Sequence, residues 1–76
     1  MPTATQIQAA KAMHDAQEYV AHVANEITSA LRYFVSAQNT RNADEYREDV
    51  RELLDALDDW KAKSQAFIDA VRAERS

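Results

Sequence analysis

Apolar side chains recur at Tyr46, Val50, Leu53, Leu57, Trp60, Phe67 and Val71, in alternating steps of four and three. Ser64 fills the one polar place in that series. Residues three and four apart share one side of an α-helix, so the run specifies a single long helix with a narrow apolar seam. A second run has the same spacing: Met13, Ala16, Val20, Val23, Ile27, Ala30, Phe34 and Ala37. Two long helices with one seam each, joined by a short polar gap, hide both seams most simply by folding back on one another.

Local signals set the boundaries. Thr3 and Gln6 have the spacing of a capping box, which places the start of helix 1 at residue 4. No breaker follows until about residue 38, which gives a rod about 50 Å long. The turn is expected at about 39–43 and helix 2 at about 43–74. Asn42 and Glu45 repeat the capping pattern, and Asp44, Glu45 and Glu48 put negative charge where the helix dipole favours it. Lys61, Lys63, Arg72 and Arg75 lie towards the other end, again matching the dipole. Folding at Arg41 sets Ala30 against Leu53, Val23 against Trp60, Ala16 against Phe67 and Met13 against Val71, with Phe34 near Tyr46 and Val50. Large residues then meet small ones, as a close-packed seam requires. The expected fold class is all-α, an antiparallel two-helix hairpin forming a single domain over residues 1–76.

A hairpin of 76 residues has one internal seam, and 15 of its apolar residues are alanine. Chains this small usually need a disulfide, a metal or a partner. Cysteine is absent, which removes disulfides and thiolate metal sites. Self-association is the common route that remains. Apolar residues beside the seams point the same way: Ala24, Leu31 and Val35 on one flank of helix 1, and Leu54 and Ile68 on helix 2. These five are the expected self-association residues, pairing two hairpins into a four-helix bundle.

Several classes of function are disfavoured. Glycine is absent, so there is no Gly-rich phosphate loop, and no Trp-x-Gly turn of the kind that marks one group of secreted hairpins. No apolar run is long enough to span a bilayer, and no secretion-type leader precedes helix 1, so a cytoplasmic location is the expectation. His14, Glu18, His22 and Glu26 share one side of helix 1, but the two histidines stand two turns, about 12 Å, apart. Helix 2 has no histidine to complete a site, so no metal or other cofactor is expected. Ser29, Ser36 and Ser64 have no base at helical reach, and Ser64, inside the seam, is expected to bond back to its own helix. No catalysis is expected.

Charge is unevenly spread. Asp44 to Asp59 holds eight acids and two arginines, with Glu48, Glu52, Asp55 and Asp59 at helical spacing. The net charge of −4 disfavours nucleic acid as a partner. Tyr19 and Tyr33 lie on the other flank of helix 1 from Leu31. With Arg32, Arg41 and Arg47 they give the turn end the aromatic and arginine content of interaction surfaces. The expected partner-binding residues are Tyr19, Leu31, Arg32, Tyr33, Val35, Arg41 and Arg47. The sequence is thus read as a small adaptor, inhibitor or regulator that pairs with itself and docks on a larger protein. The alternatives are a dimeric hairpin that binds RNA or DNA, for which helix 1 offers only Lys11 and Arg32, and a binder of a small anionic ligand or nucleotide between subunits.

Overall fold

The structure, a computed structural model, describes residues 1–36 and 41–75, with side chains described through Ala73. It consists of helix α1, Ala4–Val35, and helix α2, Ala43–Arg75. The two run antiparallel along a rod measuring 56 × 19 × 14 Å. Among the described residues there is no strand. The expected extension of helix 1 to residue 38, with seam residue Ala37, lies outside the described residues beyond Ser36.

Both helices begin where the capping patterns place them. The Thr3 hydroxyl accepts from the Gln6 amide N–H at 3.1 Å, and the Gln6 side chain accepts from the Thr3 N–H at 3.1 Å. Two otherwise unsatisfied donors of the first turn are thereby met. At α2 the Glu45 N–H donates to Asn42 Oδ1 at 3.0 Å, and Asp44 and Glu45 occupy the first turn. Arg41, just before this cap, pairs with Asp49 about two turns into the helix and fastens the chain's entry to α2.

The core is thin. Among the described residues its apolar members are Ala16, Val23, Ala30 and Ala56, and of these only Val23, 1% exposed, is large and fully covered. Tyr46, Leu53, Trp60 and Phe67 form the inward row of α2 and are half-buried. Ser64 donates to the Trp60 carbonyl at 2.7 Å, the expected bond to its own helix, so its hydroxyl costs the seam little.

The seam of α2 is rotated from the one expected. Ala56 is buried, whereas Leu57 is 37% and Val50 48% exposed. Small residues on the facing surfaces let the helix axes approach, and the branched chains are pushed to one side. Phe34, expected in the seam of helix 1, is also largely exposed and meets Tyr46 edge-on, with ring centroids 6.4 Å apart. That contact is the one the expected register gives, but further from the turn the register differs. Tyr19 reaches Glu52 and Gln6 reaches Ala70, although folding at Arg41 would set Tyr19 level with Ser64.

Candidate functional site

Closing the seam leaves two long side faces, and their chemistry differs. Seven-residue steps along α1 carry Ile7, His14, Ala21, Thr28 and Val35 down one edge, with Ala10, Gln17, Ala24 and Leu31 beside them. On α2 the matching rows are Val50, Leu57, Ser64 and Val71, and Leu54, Lys61 and Ile68. These rows lie on the same side of the hairpin, since Ile7, Ala10 and His14 share a groove with Phe67 and Val71. This apolar face contains no carboxylate in any of those rows. Among its members Leu54 is 57% and Val35 85% exposed.

The opposite face is acidic. Tyr19 lies in a shallow groove with Glu48, Arg51, Glu52, Asp55 and Asp59. Its hydroxyl donates to Glu52 Oε1 at 2.8 Å. That hydrogen bond and the adjacent Glu52 charge, with smaller contributions from desolvation and Glu26, hold the phenol above its ordinary pKa of 10.0. His22 pairs with Glu26 at 3.2 Å, and Lys63 with Asp59 at 3.7 Å. Such exposed pairs contribute little to stability.

The expected partner-binding residues do not form one patch. Leu31 and Val35 belong to the apolar face, and Tyr19 and Tyr33 to the acidic one. Arg32 lies between them, shared by the shallow grooves beside Leu31 and beside Tyr33. Arg41 is committed to Asp49, while Arg47 makes only a long surface contact of 3.6 Å to Asp44. The five expected self-association residues, Ala24, Leu31, Val35, Leu54 and Ile68, do share one face.

His14, Asp15 and Glu18 bring three possible metal donors within 4.8 Å of one another, all exposed on α1. Phe67 and Val71 of α2, which line a groove with His14, add no ligand atom. The cluster reads as an ordinary solvated helix surface, with His14 lying 3.8 Å from Asp15 and 3.5 Å from Glu18.

Two contributions escaped the sequence reading. In the sequence Gln6 reads only as a cap residue, yet it is buried and its Nε2 also donates to the Ala70 carbonyl at 3.2 Å, joining the two ends of the hairpin. Asp49 has no sequence signal that sets it apart from its acidic neighbours, yet it is half-buried against Arg41. An Asn-Ala-Asp-Glu start to a helix gives no sign of which later acid will turn inward.

The fold and its faces place the chain among two-helix antiparallel hairpins with one apolar and one acidic side. No protein-family model, curated protein or solved structure matches it. No helix is long and apolar enough to cross a membrane among the described residues.

Proposed function

We propose that this hairpin is a small, non-enzymatic protein-binding module, an adaptor or inhibitor. It pairs with a second copy through its apolar face, forming a four-helix bundle, and offers its tyrosine-bearing acidic face to a larger protein. The observation that carries this reading is the segregation of exposed side chains. Ile7, Leu31, Val35, Val50, Leu54, Leu57 and Ile68 all fall on one side, and Tyr19, Glu48, Glu52 and Asp55 on the other. Exposed apolar surface of that extent marks an interaction site. An acidic face steers towards a basic counterpart and away from phosphate backbones.

The test uses two variants of the full chain. Leu54→Asp should abolish pairing. Tyr33→Ala combined with Glu52→Lys should leave pairing and helicity intact and remove co-purification of the larger partner. Retention on RNA that falls steeply with added salt would replace this reading with the nucleic-acid one. A melting temperature raised by a panel of nucleotides would favour the ligand-binding one.

A further inference from the structure

Resting on that pairing, we infer that the second copy lies antiparallel on the apolar face, turn end over open end, with the two-fold axis across the middle of both helices. The two ends of the face have complementary shapes. At the open end, Ile7, Ala10, Phe67 and Val71 line a groove of about 620 Å³. At the turn end, Leu31 and Val35, both more than half exposed, stand out from α1 as the border of a smaller groove of about 360 Å³. A parallel pair would set groove against groove and ridge against ridge. An antiparallel pair fills each groove with the other copy's ridge, twice over by symmetry.

The sequence pattern supports the same axis. On α1 large residues at the ends flank small ones in the middle, so reversal matches Ile7 with Val35, Ala10 with Leu31 and Gln17 with Ala24, about a centre at Val20–Ala21. On α2 reversal matches Val50 with Ile68 and Leu57 with Lys61, about a centre at Asp59. The helix bounds Ala4–Val35 and Ala43–Arg75 set these two centres within one turn of each other along the rod, so one axis serves both helices. Lys61, which has no ion pair among the described residues, then lays its stem on Leu57 of the second copy and brings its ammonium near that copy's Asp58. The face is also of adequate size. From Ile7 to Val35 it runs about 42 Å along a rod 19 Å across. That is about 800 Å² from each copy, the usual area of a stable interface.

A spin label on Asp44→Cys, the only cysteine in the chain, measures the arrangement. The antiparallel pair should place the two labels about 45 Å apart, since Asp44 lies about fifteen residues from the centre of α2. A separation below about 25 Å in an intact dimer would overturn the orientation and leave the pairing standing. No dipolar coupling, with the mass of one chain, would overturn both. As a second readout, Ala10→Cys and Leu31→Cys chains should form a mixed disulfide dimer in preference to either like pair when combined under oxidation. Like pairs in excess would contradict the antiparallel contact.

Discussion

The Tyr19 hydroxyl lies 2.8 Å from Oε1 of Glu52 and ties the middle of α1 to α2 across the acidic face. The bond exists only while the phenol keeps its proton. Ionising it would set two anions side by side, which is why its pKa is raised. The sign of the linkage follows. The stabilisation is fully present below the ordinary phenol value of 10.0 and is lost as pH rises through the higher folded value. Tyr19 should titrate above the ordinary phenol value in a tyrosinate absorbance titration. Glu52→Gln should bring its titration back towards the ordinary phenol value of 10.0. An unchanged profile in Glu52→Gln would show that the bond does not form in solution.

Among the described residues, Val23 is the one large side chain fully withdrawn from water, with Ala16 and Ala30 one heptad away on either side. Val23→Ala should cost about 1–3 kcal/mol, through lost burial and a cavity that a thin core cannot refill. Thermal unfolding followed by circular dichroism measures this directly. A change within a few tenths of a kcal/mol would mean that the hairpin seam is not the centre of the fold.

Gln6 works twice, in the cap with Thr3 and in the tie to Ala70. Thr3→Ala removes the cap alone and should cost about 1 kcal/mol. Gln6→Ala removes part of the cap and the tie, and should cost more. It should also speed amide exchange around Ala70. Equal costs for the two variants would mean that the tie adds nothing.

Trp60 is half-buried in the seam, and its indole N–H is covered without an acceptor among the described residues. An unsatisfied covered donor carries a penalty of about 1–3 kcal/mol. Trp60→Phe keeps an aromatic ring and removes the donor, so its melting temperature should stay within a few degrees of the parent or rise. Trp60→Ala should unfold the chain or cost about 3–5 kcal/mol. A large loss in Trp60→Phe would reveal an acceptor for the indole in the assembled protein.

Much of this fold is legible before any coordinates. Thr3 with Gln6 and Asn42 with Glu45 mark both helix starts because capping is local chemistry, written in four consecutive residues. The seam of α1 is equally plain, since Val23 with Ala16 and Ala30 repeats without interruption. The seam of α2 is not. A heptad count rewards Val50 and Leu57 for size, whereas the backbone selects Ala56 for its smallness. That choice depends on how closely the facing helix approaches, which is a property of the pair. The register escapes for a related reason: it depends on where α1 stops, and the residues after Val35 carry no glycine or proline to mark the end. The flank residues Ala24, Leu31, Val35, Leu54 and Ile68 can be grouped from periodicity alone. The split of Tyr19 and Tyr33 from Leu31 and Val35 becomes a division between an acidic and an apolar side only once α2 is in place.

Sedimentation equilibrium at micromolar concentration tests the central claim, that the apolar side face pairs two hairpins. The wild-type chain should sediment with the mass of two chains. Leu54→Asp and Leu31→Asp should each weaken the association at least tenfold, with a helical spectrum retained at high concentration. A wild-type chain that keeps the mass of one hairpin at every concentration, with its full helicity and a cooperative melt, would contradict the account.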